Sequence, residues 1–197
     1  MIDMLSLKLT NIIKNNLGDI TEEKAEEINY GLNIIIYEFI VYVVLIPIMI
    51  ISGLFKYCIT YITIYGILRI FTGGAHAKTR LGCFLTYSIS LFGICYLSKF
   101  IPAINLTFTI IVFLAGIFVF YIYAPGDTIE KPILSKKQIK KMKFLSIMLL
   151  LYIFIITMII RHFNQTLYNV IIFTIIEVVF FLTPIGYKLY GCKLSWE

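Results

Sequence analysis

The sequence has little charge and few of the residues that build metal sites or disulfide frameworks. Only 14% of its 197 residues are charged, 60% are hydrophobic, and the mean hydropathy is +0.92. Soluble domains are about 45–50% apolar, so this composition excludes an ordinary soluble domain and favours one compact bundle in a membrane. Internal repeats and low-complexity segments are absent, and residues 1–17 alternate too regularly for a cleavable signal peptide.

Cysteine and histidine are too sparse for metal-based chemistry. The four cysteines have no zinc-ligand spacing and form no dense framework, so we expect all of them to be reduced: Cys58, Cys83, Cys95 and Cys192. The chain has two histidines and no His-Glu-x-x-His pattern. A zinc peptidase therefore has too few ligands, and we expect neither a metal nor a cofactor.

Six apolar stretches predict an all-α membrane protein with six transmembrane helices. A perpendicular span needs about 20 residues, and the stretches are 32–54, 57–71, 82–97, 104–124, 144–160 and 167–187. If the N-terminus is cytoplasmic, fourteen Lys and Arg residues fall on the inner side and only Lys56, Lys99 and Arg161 on the outer side. Positive residues favour the cytoplasmic side, so we predict that both termini are cytoplasmic.

The first residues of the chain predict an amphipathic helix on the inner surface of the membrane. Apolar and polar residues recur at helical spacing on two opposite faces: Ile2, Leu5, Leu9, Ile12 and Ile13 on one, and Asp3, Ser6, Thr10 and Lys14 on the other. We expect Gly18 to end this helix and Thr21 to cap a second, short helix.

The loop between the second and third stretches carries the residues best suited to chemistry. It contains His76 and Cys83, which would be about 10.5 Å apart along one straight helix. A hydrogen bond requires roughly 2.6–3.2 Å between heavy atoms, so the backbone must fold back between them. Gly73, Gly74 and Gly82 supply the positive φ angles and tight turns for this path.

This arrangement predicts a cysteine nucleophile. Cys83 would begin the third span, where the helix N-terminus and Arg80 favour the thiolate. His76 would accept the thiol proton and later protonate the leaving amine. The N–H groups of Gly82, Cys83 and Phe84 would stabilise the oxyanion. The opposing interpretation is that the cysteine packs as a small apolar residue and the histidine is merely solvated.

Two carboxylates lie within the apolar stretches, Glu38 in the first and Glu177 in the sixth. Acids inside a membrane are costly and often functional, so either one is a candidate to orient His76 or to pair with Arg69. A structural ion pair or an interhelix hydrogen bond is the alternative for both. His162 falls in an outer loop, where we expect no catalytic role.

A basic cluster follows the fourth stretch, and the segment 125–143 carries a net charge of +4. Its lysines are Lys131, Lys136, Lys137, Lys140, Lys141 and Lys143. Such a cluster holds a loop on the inner side, and it also predicts attraction to an acidic segment of a substrate peptide. Nucleic-acid binding is not expected, because no folded basic domain accompanies these lysines.

Two motifs resemble those of the accessory gene regulator protein B family (AgrB). They are Arg69…Gly73-Gly74-Ala75-His76-Ala77…Cys83 and Ala124-Pro125-Gly126-Asp127-Thr128-Ile129-Glu130-Lys131-Pro132-Ile133. The resemblance implies a bacterial inner-membrane cysteine endopeptidase for quorum sensing that forms homodimers. It also implies that Cys83 is the nucleophile and His76 the base, and that Arg69 and Gly74 are needed.

The resemblance further implies the substrate, an AgrD-like propeptide with an amphipathic leader, a core and an acidic C-terminal tail. Cys83 would cleave the core from the tail, and an internal thiol or hydroxyl would then close a thiolactone or lactone ring. The expected organisation is a cytoplasmic amphipathic region 1–31, a six-span peptidase domain 32–190 and a tail 191–197. Within that domain lie the catalytic loop 69–83 and the basic loop 125–143.

A non-enzymatic membrane protein is the rival interpretation. A small transporter or an assembly partner would use Glu177 and Glu38 as polar features of a pathway and Cys83 as a packing residue. Such a protein would tolerate Cys83→Ser and fail with Glu177→Gln, whereas a peptidase would show its larger loss at Cys83.

Overall fold

A computed structural model of the protein describes residues 2–17, 20–75, 77, 79–126 and 135–191. In these ranges the regular structure is helical: α1 (Ile2–Leu17), α2 (Glu22–Ile51), α3 (Phe55–Thr72), α4 (Arg80–Phe100), α5 (Leu106–Tyr123), α6 (Lys136–Ile160), α7 (Gln165–Leu182) and α8 (Pro184–Tyr190). The prediction of an all-helical chain is confirmed for this part of the molecule.

Five helices are long and apolar enough to cross a membrane, namely α2, α4, α5, α6 and α7. Helix α3 has the same length as α5 and α7, 18 residues, but is not among the five. Tyrosines and threonines interrupt its apolar residues, and Lys56 and Arg69 lie near its two ends. The described chain therefore has five candidate spans, and α3 is a helix of the same length as two of them but of mixed polar and apolar character.

The chain forms two compact units, Met1–Gly53 and Leu54–Glu197. In the N-terminal unit, α1 packs against α2, and Asn33 Nδ2 donates to Asp3 Oδ1 at 2.7 Å and to Ser6 Oγ at 3.2 Å. The polar side chains of α1 share one face, as predicted, and that face packs on α2, with Ser6 and Thr10 buried. Apolar side chains such as Ile12 are exposed instead.

The start of α2 confirms one prediction and corrects another. Thr21 caps the helix, because its side chain accepts a hydrogen bond from the N–H of Lys24. The separate short helix predicted after Thr21 is wrong, since Glu22–Ile51 is one continuous helix of 30 residues. The sequence changes from polar to apolar residues near position 32, which suggested two helices. This change does not interrupt the backbone hydrogen bonds of the helix, so the helix continues through it. Gly18 lies outside the described residues.

Helix α7 is the centre of the C-terminal unit and packs against α3, α4, α5, α6 and α8. Most of its side chains are buried, including Ile172, Ile175 and Val178. Gly116 of α5 lets neighbouring helices approach, since a Cβ there would lie 3.1 Å from Leu150 Cδ2 of α6.

The prediction that the sixth apolar stretch forms one span to residue 187 is wrong. The stretch divides into α7 and α8. Pro184 causes the break, because proline has no N–H donor and disfavours the helical conformation in the residue before it. Thr183 then caps α8, accepting a hydrogen bond from the N–H of Gly186.

At one end of the C-terminal unit, buried Asn169 ties the start of α7 to the connection between α4 and α5. Its Nδ2 donates to Ile101 O at 3.0 Å and its Oδ1 accepts from Ile104 N at 3.1 Å. The predicted catalytic loop lies at the opposite end, where α3, α5 and α7 finish. The candidate functional loop and the structural hydrogen bonds of Asn169 therefore lie at opposite ends of the helices.

Candidate functional site

Three backbone segments meet where α3, α5 and α7 end, and we call this meeting point the glycine junction (Thr72–Ala75, Ala124–Gly126 and Phe181). Gly126 N donates to Thr72 O at 2.7 Å, Gly74 N donates to Gly126 O at 3.2 Å, and Ala75 N donates to Phe181 O at 2.9 Å. A short parallel bridge pairs Gly73 with Gly126. The junction thus brings the two sequence motifs, about fifty residues apart, into one site.

Two glycines of the junction have positive φ, as predicted: Gly73 at +63° and Gly74 at +119°. A Cβ at Gly73 would overlap Gly126 O, and one at Gly74 would overlap Arg69 Nη1. The prediction for Gly82 is wrong, because Gly82 lies in the first turn of α4 and has no positive φ. Thr79 makes the turn before α4, because its backbone is extended and its side chain caps the helix. The turn therefore does not require a special backbone conformation at Gly82.

Arg69 holds the junction from the last turn of α3. Its Nη1 donates to Gly73 O at 2.6 Å and its Nη2 donates to Ala75 O, while the guanidinium carbon lies 5.6 Å from the centroid of the Tyr65 ring. The fork geometry of the guanidinium suits two acceptors that are two residues apart. Arg69 is therefore bonded to carbonyls and does not form the predicted ion pair with Glu177.

Cys83 lies half-buried in the first turn of α4, so its predicted position at a helix N-terminus is confirmed. Thr79 caps this helix, with its Oγ1 accepting from Gly82 N at 3.0 Å and its carbonyl accepting from Cys83 N at 2.9 Å. The prediction that these two N–H groups bind an oxyanion is wrong for this conformation, because Thr79 occupies both. His76, the predicted base, lies outside the described residues.

The other cysteines have ordinary surroundings. Cys58 of α3 and Cys95 of α4 are buried in the helix bundle. None of Cys58, Cys83 and Cys95 forms a disulfide, which confirms the prediction for these three residues. Cys192 lies outside the described residues.

A group of tyrosines next to Cys83 was not predicted, and we call it the tyrosine cluster (Tyr61, Tyr65 and Tyr87). Tyr61 and Tyr65 of α3 stack at 5.3 Å, and Tyr87 of α4 lies 6.0 Å and 5.8 Å from them. The signal is present in the sequence, because Tyr61, Tyr65 and Arg69 recur every four residues, as do Cys83 and Tyr87. The apolar length of the two stretches does not predict that the tyrosine-bearing face of α3 packs against that of α4.

Glu177 of α7 forms the deep end of this polar region. Its Oε2 accepts a hydrogen bond from Tyr61 Oη at 2.7 Å. The predicted interhelix hydrogen bond is thus confirmed for Glu177. Glu38 is exposed on α2. A role of either acid in orienting His76 stays a prediction.

The basic cluster begins helix α6. Lys136, Lys137, Lys140 and Lys141 are exposed, and Lys143 Nζ lies 5.5 Å from the centroid of the Tyr121 ring. Lys131 lies outside the described residues. Ser135 precedes the helix, and its side chain makes no capping hydrogen bond.

In the part of the chain that the structure describes, these features define a helical protein of the membrane-protein class, with five helices long and apolar enough to cross a membrane, a glycine-rich backbone junction, a half-buried cysteine at a helix start and a lysine-rich helix start. The chain belongs to the accessory gene regulator B family, which matches residues 6–182. It is 31% identical to accessory gene regulator protein B of Staphylococcus aureus (strain bovine RF122 / ET3-1) over 76% of this chain and 78% of that protein.

A second relative is an AgrB-like protein of Clostridium perfringens (strain SM101 / Type A). It is 31% identical over 83% of this chain and 80% of its own length. No solved structure matches the chain.

Proposed function

We propose that the protein is a membrane-embedded cysteine endopeptidase of quorum sensing, which cleaves the acidic tail from an AgrD-like propeptide and cyclises the core. The observation that carries this proposal is the position of Cys83. It stands half-buried in the first turn of α4, and the chain reaches it directly from the glycine junction, through the segment that holds His76. Membership of the accessory gene regulator B family supports the same function.

In the first step, the thiolate of Cys83 attacks the carbonyl carbon of the bond between core and tail. His76 takes the thiol proton and returns it to the leaving nitrogen, so the carbon–nitrogen bond breaks and the tail departs as a neutral amine. The core is then held on Cys83 as a thioester. The oxyanion of this step needs a donor other than the N–H groups of Gly82 and Cys83, because Thr79 accepts from both.

In the second step, an internal thiol or hydroxyl of the core attacks the thioester. Its proton passes to His76, the Cys83 thiolate leaves, and a thiolactone or lactone ring is released without the use of water. A site enclosed by helices limits hydrolysis of the thioester, so the ring can form first.

Recognition of the tail is assigned to the start of α6. Lys136, Lys137, Lys140 and Lys141 are exposed and carry four positive charges within two helical turns. Such a field attracts an acidic peptide segment and orients it before chemistry. The helix follows Gly126 in the chain, so the tail would bind close to the glycine junction.

The proposed arrangement in the membrane has six spans, with α3 as the sixth, and both termini in the cytoplasm of the bacterial cell. Helix α1 lies on the inner surface, where its exposed apolar side chains, such as Leu5 and Ile12, meet lipid. Two copies form a homodimer. The charge asymmetry supports this orientation, because only Lys56, Lys99 and Arg161 fall on the outer side.

The test uses the purified protein in lipid vesicles with its cognate propeptide. Cys83→Ala should abolish cleavage, whereas the matched change Cys95→Ala, on the same helix, should keep it. Both variants should remain inserted, as shown by protection from protease. Continued cleavage by the Cys83→Ala variant would contradict the proposal.

A transporter or assembly role is the second candidate, favoured by the partly buried carboxylate of Glu177 within a candidate span. It predicts that Glu177→Gln abolishes function and that Cys83→Ser does not. The peptidase predicts the reverse order, because the carboxylate is already bonded to Tyr61 of a neighbouring helix.

A further inference from the structure

The surroundings of Cys83 include an aromatic surface that the proposed mechanism does not use. Tyr87 follows Cys83 by one helical turn of α4, which places the two Cβ atoms about 5–6 Å apart on the same face. Tyr65 of α3 lies against Tyr87, with the two ring centroids 5.8 Å apart. The thiol therefore stands at the edge of the tyrosine cluster.

The cluster has a fixed base. Tyr61 is fully buried, stacks on Tyr65 with an interplanar angle of 11°, and donates to Glu177 at 2.7 Å. Tyr87 is tilted against both rings, by 53° and 56°. Contacts with residues on α3, α4 and α7 hold the three rings, so their arrangement does not depend on a bound ligand.

The edge of the cluster nearest Cys83 is accessible. Tyr65 and Tyr87 are only half-buried, in contrast to Tyr61. On the side of the glycine junction, the Arg69 guanidinium lies over Tyr65 and donates hydrogen bonds to two backbone carbonyls. A ligand side chain at this edge meets the aromatic faces of Tyr65 and Tyr87.

We propose that Tyr65 and Tyr87 form the subsite for the side chain of the substrate residue whose carbonyl is transferred to Cys83, and that this subsite selects a large apolar, preferably aromatic, side chain. The inference rests on the proposed function. A side chain lies within a few ångströms of its own carbonyl carbon, and Tyr87 follows Cys83 by one helical turn, so a residue whose carbonyl is bonded to Cys83 can place its side chain against these rings. Aromatic faces favour apolar and aromatic partners.

The test measures kcat/KM for cleavage of three propeptides that differ only at this residue, carrying Phe, Leu or Ala. The wild-type protein should prefer Phe over Ala by about 10–100-fold, the range expected for an apolar pocket. Tyr87→Phe should keep this preference, because the ring remains. Tyr87→Ala and Tyr65→Leu should reduce it to less than about threefold, while the preference for an acidic over a neutral tail stays unchanged.

The matched control is Tyr96→Ala, which removes an exposed ring from the far half of α4 and should leave the preference as in the wild type. If Tyr87→Ala does not fold, Tyr87→Leu replaces it, with an intermediate preference expected. Wild-type preference retained in both the Tyr87→Ala (or Tyr87→Leu) and Tyr65→Leu variants would overturn the subsite alone. Absence of an acyl adduct on Cys83 in the wild-type protein would instead overturn the proposed function, and the subsite with it.

Discussion

At the scale of single residues, Gly74 combines two constraints. Its φ of +119° is a conformation that L side chains rarely adopt, and a Cβ there would overlap Arg69 Nη1 and lie 3.1 Å from Phe181 O. Because Gly74 N also bonds to Gly126 O, any displacement at this residue moves the junction next to the segment proposed to be catalytic.

Gly74→Ala should therefore abolish or strongly reduce propeptide cleavage, by more than about tenfold, while the protein still inserts in the membrane. The strained backbone costs about 1–3 kcal/mol, which should appear as a lower midpoint of thermal unfolding in detergent. The matched control is Gly93→Ala on α4, where no atom lies within 4 Å of the added Cβ, and full activity is expected. Wild-type cleavage rates in the Gly74→Ala variant would contradict this role for the junction.

Arg69→Lys tests the two hydrogen bonds to the junction with the charge retained. A lysine cannot bond to Gly73 O and Ala75 O with the same fork geometry. We expect the rate of acyl transfer to Cys83 to fall about 10–100-fold, as for other misplaced catalytic groups, with propeptide affinity within about twofold. Arg161→Lys, at the opposite end of the bundle, should have no effect. Equal losses in rate and affinity would show that Arg69 binds the substrate instead.

The sequence predicts part of this site in residue detail. Adjacent glycines in a loop that must fold back indicate positive φ, and Gly73 and Gly74 have it. Gly82 does not, because a threonine cap three residues earlier already makes the turn. The tyrosine cluster was missed for a different reason: contacts between Tyr65 and Tyr87 depend on how two helices are rotated against each other, and apolar length alone carries no such information.

At the scale of helices, a polar contact links α3 and α7 inside the bundle. Tyr61 donates to Glu177 at 2.7 Å. Hydrogen bonds between membrane helices contribute about 0.6 kcal/mol on average and up to about 1.7 kcal/mol. This contact is thus a modest stabilising element beneath the tyrosine cluster.

A double-mutant cycle of Tyr61→Phe and Glu177→Ala measures that contact, because each change removes one partner of the hydrogen bond. Each single change should lower the free energy of unfolding in mixed detergent, and the coupling between them should be about 0.5–1.7 kcal/mol. Cleavage by the Glu177→Gln variant should stay within about threefold of wild type, because glutamine still accepts from Tyr61. Loss of cleavage without loss of stability would assign Glu177 a direct role in catalysis or transport.

The positions of the helices follow from apolar length with errors of a few residues, and the exceptions have local causes. The sixth stretch divides at Pro184, which ends one helix and starts the next. The first stretch extends back to Glu22, because charged residues outside a span are also good helix formers. The glycine junction pairs backbone atoms that are about fifty residues apart in the sequence. The two motifs were recognised in the sequence, but their resemblance to a family does not predict that they contact each other.

At the scale of the whole molecule, charge is distributed unevenly between the two ends of the C-terminal unit. The lysines that begin α6 lie on the side of the glycine junction, whereas Lys56, Lys99 and Arg161 lie on the other. This asymmetry supports both the orientation in the membrane and the capture of an acidic tail near Cys83.

Reversing the charge of Lys136, Lys137, Lys140 and Lys141 to Glu should weaken propeptide binding by at least about tenfold, since four favourable charge contacts become repulsive. A propeptide whose tail carries lysines in place of its acids should bind this variant better than it binds the wild type. Wild-type affinity should also fall as salt rises from about 0.05 M to 0.5 M. If charge reversal left the affinity for the propeptide unchanged, the lysines would serve only to hold this segment on the inner side of the membrane.

The central claim is that Cys83 carries the acyl group, and mass spectrometry of the protein in vesicles with its cognate propeptide tests it most directly. We predict an adduct on Cys83 equal in mass to the propeptide minus its tail, absent from both Cys83→Ala and His76→Ala. With inserted protein and a verified substrate, the absence of both adduct and cleavage would contradict the peptidase and favour the transporter or assembly role centred on Glu177.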